Sequence, residues 1–155
     1  MIAMAENQSG EVQSVETLLD STLESVDEAE TTVLRMATEA GLDEDDLHAL
    51  GMAVREAAVN AVVHGNRYNA KKKVYLNVTR TPDRLSILIG DEGEGFEVGS
   101  VPDPLLSENL LRQSGRGLLL IRAFVDEFEL RPREPGGTEV RLVKYLANAS
   151  GSTRS

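Results

Sequence analysis

Val74-Tyr75-Leu76-Asn77-Val78-Thr79-Arg80-Thr81-Pro82-Asp83-Arg84-Leu85-Ser86-Ile87-Leu88-Ile89-Gly90 is the stretch whose pattern decides the fold. Val74, Leu76 and Val78 alternate with polar neighbours, and after Thr81-Pro82-Asp83-Arg84 the alternation resumes at Leu85, Ile87 and Ile89. A period of two places one set of side chains on one face of a pleated strand. Two such runs joined by so short a turn predict an antiparallel hairpin.

Upstream of the hairpin the period changes. After a weakly patterned run at Val15 to Ser21, Ser25 and Glu28 have the spacing of a capping box. Val26, Ala29, Val33, Met36, Ala37 and Ala40 then recur every three or four residues, and Gly41 follows, which predicts a helix over about 26–40. Acidic residues at 43–46 suit a second helix N-terminus. Leu47, Leu50, Val54, Ala57, Ala58 and Ala61 mark its buried stripe, with a stop expected near Gly65.

Downstream, residues 97–114 are unpatterned, and a loop that long inside a compact domain is usually functional or mobile. A short apolar helix is expected over about 117–125. Glu127 to Arg131 and Glu139 to Leu146 then form a closing hairpin around Pro135-Gly136-Gly137. Helices gathered early and strands gathered late predict an α+β, two-layer sandwich, its sheet mixed but mostly antiparallel and its helices on one face. One domain is expected over 15–146, between a flexible N-terminus (1–14) and a flexible tail (147–155).

Composition narrows the function. No cysteine is present, so disulfides, thiolate metal sites and cysteine nucleophiles are excluded. With 16 Lys+Arg against 26 Asp+Glu the formal charge is −10, which argues against a nucleic-acid partner. The longest clean apolar run, Leu118-Leu119-Leu120-Ile121, is far short of the ~20 residues of a membrane span. Residues 1–10 lack the basic start of a secretory signal, so a cytoplasmic location is expected.

Four clusters could carry chemistry. Glu56 and Asn60 lie four apart on the second helix and stack on one face. They read either as an ordinary exposed pair or as a carboxylate base beside an amide oxygen that ligates a hard cation such as Mg²⁺. His64, one turn further, reads alone as a polar helix-end residue. Asp91-Glu92-Gly93-Glu94-Gly95-Phe96 follows a strand directly. It is either a strand-ending turn or a place where glycine lets backbone approach a ligand and Asp91 accepts a base amino group. Gly115-Arg116-Gly117-Leu118 opens the short helix, either as loop punctuation or as a phosphate cradle with Arg112 and Arg116 adding charge. Gly137-Thr138 starts the last strand. Lys71-Lys72-Lys73 reads as a solvated strand edge.

Taken in order, Glu56-x-x-x-Asn60-Ala61-x-x-His64-Gly65, Asp91-x-Gly93-x-Gly95-Phe96, Gly115-Arg116-Gly117-Leu118-x-Leu120-Ile121 and Gly137-Thr138 resemble the nucleotide-binding boxes of the GHKL (Bergerat-fold) ATP-binding superfamily. Within it the sequence looks most like the bacterial anti-sigma-factor serine/threonine kinases, over roughly residues 15–146. The resemblance implies that Asn60 ligates Mg²⁺ and that Glu56 is the general base. Asp91 would bind the adenine amino group with Thr138 assisting, Gly93 and Gly95 would admit the nucleotide, and His64 and Phe96 would complete their boxes at the site. Residues 97–114 would form an ATP lid, with Gly115, Arg116, Gly117 and Leu118 meeting the phosphates. It further implies ATP and ADP as ligands, a STAS-type anti-anti-sigma protein and a sigma factor as partners, and a homodimer. The alternative is a non-catalytic or switch-type ATP-binding module of the same kind of pathway. Neither nucleic acid nor membrane is expected as a partner.

Overall fold

A computed structural model of the chain describes residues 2–6, 12–93, 117–134 and 136–146, with side chains for 12–93, 121–134 and 136–146. Six strands, β1 (Ile2–Glu6), β2 (Gln13–Leu19), β3 (Val74–Arg80), β4 (Arg84–Gly90), β5 (Glu127–Pro132) and β6 (Thr138–Tyr145), form one sheet in the order β1-β2-β3-β4-β6-β5. Among the described residues three helices, α1 (Leu23–Glu39), α2 (Glu44–Val59) and α3 (Gly117–Phe124), accompany it, and α2 runs into a π-helical turn at Asn60–Gly65. All five pairings are antiparallel. The α+β two-layer class expected from the sequence therefore holds, but the parallel component of a mixed sheet does not occur among the described strands.

The decisive hairpin forms as its pattern dictates. Leu76 opposes Ile89 and Val78 opposes Ile87, so the two apolar sets share a face, and all four are buried. The register carries that face across the sheet through Val15, Thr17 and Leu19 of β2 and Val140 and Leu142 of β6. It packs into one core with Val26, Val33 and Met36 of α1, Leu50, Val54 and Ala57 of α2, and Ile121 of α3. All these helices lie on one side, since the opposite face carries Ser14, Glu16, Tyr75, Asn77 and Thr79, joined by side-chain hydrogen bonds. Lys144 is the exception on the buried side. Its ammonium reaches Asp46 at 3.3 Å and Asp126 at 3.8 Å while its stem lies against the core.

Local chemistry moved one helix start. Thr22, not Ser25, caps α1: it has extended backbone (φ −134°, ψ 159°) and accepts from the Ser25 amide, while Ser25 is buried inside the first turn. Gly41, at φ +94°, follows the helix end as expected. Asp43 caps α2, accepting from the Asp46 amide at 2.8 Å. Residues 2–6, for which the sequence predicts no element, supply edge strand β1, which pairs with β2 from Ile2 opposite Thr17 to Glu6 opposite Gln13. The 147–155 tail lies outside the described residues.

The Asp43 bond satisfies an otherwise orphaned helix-terminal amide. Asp43→Ala is expected to cost about 1 kcal/mol of unfolding free energy, measured by urea titration, with the fold unchanged. A loss below a few tenths would show that the cap is dispensable.

Candidate functional site

The site is built where the C-terminal end of α2, the exit of β4 and the entry of β6 meet. Helix α2 is amphipathic through Ala57 and then widens: the Asn66 amide donates to Ala61 O, five residues back, at 2.8 Å. Such π-turns shift side chains off the α-helical stripe and are frequent at functional sites. Asn60 begins this turn, and its backbone N–H is shared between Glu56 O and Ala57 O. Its side-chain Oδ1 and Nδ2 are both buried, and neither has a hydrogen-bond partner among the described residues. An unpaired buried amide costs roughly 1–3 kcal/mol, so such a group is a candidate for binding something. Glu56 is half-buried one turn before it.

Asp91 is the other pole. It is 7% exposed and follows β4 directly. Its main chain and that of Thr138 are joined by the Asp91 amide donating to Thr138 O at 2.9 Å. Its Oδ1 accepts from the amides of Gly93 (2.9 Å) and Thr138 (3.2 Å), leaving Oδ2 with no hydrogen bond among the described residues. Burial pushes the Asp91 carboxyl above its ordinary pKa, opposed by those two amides and then by the more distant charges of Arg133 and Lys72.

Three glycines allow these segments to touch. A Cβ on Gly65 would lie 2.3 Å from Asp91 Oδ2, one on Gly93 would lie 2.1 Å from Gly65 O, and one on Gly137 would lie 2.0 Å from Asp91 O. Gly137 also holds φ +117°, which disfavours any L side chain. Of the residues expected at the site, Glu56 and Asn60 share the end of α2, and Asp91, Gly93 and Thr138 share the β4–β6 junction beside Gly65. His64 is exposed on the π-turn. Gly117 and Leu118 open α3, which packs against α2 and can present free amides at its first turn. Gly95, Phe96, Gly115, Arg116, Arg112 and the 97–114 segment lie outside the described residues.

Sequence reading missed Asn66 and Ser21, both buried and polar. Asn66 follows His64-Gly65 directly, and nothing in the sequence there marks its side chain as buried. The lysine run is more than a solvated edge at one position, since Lys73 pairs with Asp20 at 2.6 Å and its amide donates to the Glu92 carboxylate at 2.7 Å.

The donor set can be tested for a metal. Among the described residues no group of three or more His, Asp or Glu could hold an ion. Mg²⁺ commonly takes one or two protein oxygens and completes its shell with water and phosphate, so the orphaned Asn60 amide oxygen fits it.

Residues 19–144 match the family described as histidine kinase-like ATPase domain. The chain is 32% identical over 124 residues to the anti-sigma F factor of Bacillus thuringiensis (strain Al Hakam), covering 79% of this chain and 85% of that protein. The anti-sigma F factors of Bacillus mycoides (strain KBAB4) and Bacillus cereus (strain AH187) match with the same figures.

The glycine contacts give a paired test. Gly137→Ala is expected to lose at least about 2 kcal/mol of stability, from overpacking against backbone combined with a positive φ. Gly136→Ala, whose Cβ would meet only Gly93 O at 3.4 Å, should stay within about 0.5 kcal/mol of wild type. Equal effects in thermal melts of the two variants would contradict the junction described here.

Proposed function

The chain belongs to the histidine kinase-like ATPase domain family, and on that premise we propose that it is an ATP-dependent protein serine/threonine kinase that acts as an anti-sigma factor. Its phosphoryl acceptor would be a hydroxyl of a STAS-type anti-anti-sigma protein, and it would sequester a sigma factor while that antagonist is phosphorylated. The observation that carries the reading is Asn60, a buried amide with no partner among the described residues, one helical turn from a carboxylate. The likeness to three anti-sigma F factors supports the choice of pathway. The homodimer implied by the family resemblance belongs to the same proposal.

Phosphoryl transfer asks a protein mainly to position reactants and offset charge. Asp91 Oδ2 accepts from the adenine amino group, and the glycine junction lets the base lie against backbone. Asn60 Oδ1 would hold Mg²⁺, which supplies neutralisation of the phosphate oxygens when bound. Glu56 takes the proton of the acceptor hydroxyl as that oxygen bonds to the γ-phosphorus and the bond to the ADP oxygen breaks. The α3 N-terminus, opened by Gly117 and Leu118, adds backbone amides toward the phosphates.

The test is incubation of the full chain with labelled ATP, Mg²⁺ and purified STAS-domain proteins from the same organism. Label should pass to a Ser or Thr of one of them. Glu56→Gln should lose 10²–10⁴-fold in rate, the usual worth of a general base, while binding ADP within a few-fold of wild type. Transfer to none of them by the wild type, with ADP bound tightly, would replace the kinase by a non-catalytic ATP-binding module.

A second measurement isolates the metal. Asn60→Ala should weaken ADP binding by at least tenfold in Mg²⁺ and by much less in EDTA, read by titration calorimetry. Equal losses in both buffers would show that Asn60 is not a ligand.

A further inference from the structure

We infer that Asn66 is a positioning residue for purine selection: its buried amide clamps the Asp91–Glu92 peptide and so fixes the direction of the Asp91 carboxylate. The inference rests on the reading above in which Asp91 accepts the purine 6-amino group.

Asn66 is 2% exposed, and both ends of its side chain are committed. Nδ2 donates to Ser21 Oγ at 2.9 Å and to Lys73 O at 3.0 Å, and Oδ1 accepts from the Glu92 amide at 2.7 Å. Those bonds tie the β2–α1 connection, the entry of β3 and the exit of β4 to the residue that ends the π-turn. Two more close the ring: Ser21 Oγ donates to Lys72 O at 2.5 Å, and the Glu92 carboxylate accepts from the Lys73 amide at 2.7 Å. Asn is suited to this place because it offers two donors and an acceptor in one plane, whereas Asp would offer acceptors only.

The consequence for Asp91 follows from the chain direction. The Glu92 nitrogen is bonded to the Asp91 carbonyl carbon, so Asn66 Oδ1 holds the C-terminal side of Asp91. Thr138 O holds its N-terminal side through the Asp91 amide at 2.9 Å. With Oδ1 anchored by Gly93 and Thr138, only Oδ2 remains to face a ligand, and its direction is set once both peptides are fixed. Without Asn66 one of the two main-chain anchors is lost and Asp91 can turn. A group acting only as packing would weaken the fold without changing which base is preferred. A clamp on Asp91 weakens the preference itself, because misaligned hydrogen bonds to the amino group lose strength steeply with angle.

The experiment compares ADP with IDP, which carries an oxo group where ADP carries the 6-amino group. Affinities of the full chain are measured by calorimetry in Mg²⁺, well below each variant's melting temperature. Wild type should prefer ADP. Asn66→Ala should lose at least tenfold of that preference, through weaker ADP binding with IDP binding nearly unchanged. Asp43→Ala, a destabilised control remote from the clamp, should keep the full preference. Should Asn66→Ala not fold, Ser21→Ala removes one of the bonds to the same amide and should lower the preference about threefold. Absence of any ADP preference in wild type overturns the Asp91 reading and the inference with it. A wild-type preference retained in Asn66→Ala, or in Ser21→Ala where that variant has to decide, leaves Asp91 recognition standing and overturns the role of Asn66.

Discussion

The described site depends on a place where there is no room for a Cβ. The end of α2, the exit of β4 and the entry of β6 approach so closely that Gly65, Gly93 and Gly137 would each drive a methyl to within 2.3 Å of a neighbouring segment. That contact lets Asp91 be buried yet anchored by main-chain amides, because backbone can come near its carboxylate from two strands' ends at once. The hairpin β3–β4 fixes where β4 ends, and the helix-facing core fixes where α2 ends. The glycines then allow the two ends to meet, so the site follows from the fold without any long side chain reaching across.

Net charge proved the wrong quantity for judging ligands. A chain of formal charge −10 is a poor host for nucleic acid, whose many phosphates sample the whole surface. A single nucleotide samples only its surroundings within a Debye length of about 8 Å at physiological ionic strength. Acidic side chains are dense in α1 and at the start of α2, where Asp27 and Glu30 pair with Arg55 and Asp43 caps a helix. The charges of Arg133 and Lys72, both positive, act on the Asp91 carboxyl and favour its ionised form.

What is legible in the sequence depends on the kind of signal. The hairpin and the two long helices were legible because burial imposes a period, and period survives in a single sequence. Glu56, Asn60, Asp91, Gly93 and Thr138 were legible as an ordered set. The α1 cap was misplaced by three residues because Thr22 and Ser25 both suit a cap, and only tertiary burial of Ser25 decides between them. The π-turn left no trace, since it changes hydrogen-bond partners and not residue types. Strand β1 was missed because edge pairing asks little of side chains. Asn66 was missed because its three side-chain partners lie 45, 7 and 26 residues away, and nothing local predicts such a bracket.

Both poles carry an energetic cost, each of a different kind, and that bears on function. The Asn60 side-chain amide is buried without a partner among the described residues, and Asp91 is a carboxyl pushed above its usual pKa by burial. The folded chain holds the Asp91 proton more tightly than the unfolded chain. Its contribution to stability is therefore full below the unfolded pKa and lost as pH rises through the raised one, so at neutral pH it lowers stability. Both groups thus cost the unliganded fold something that a partner of the right chemistry returns: a cation for the amide oxygen and an N–H donor for the carboxylate. Marginal folds tolerate such costs mainly where binding recovers them. A buried amide with no partner among the described residues and a buried carboxyl with one oxygen unbonded among them therefore argue for binding more strongly than either would alone.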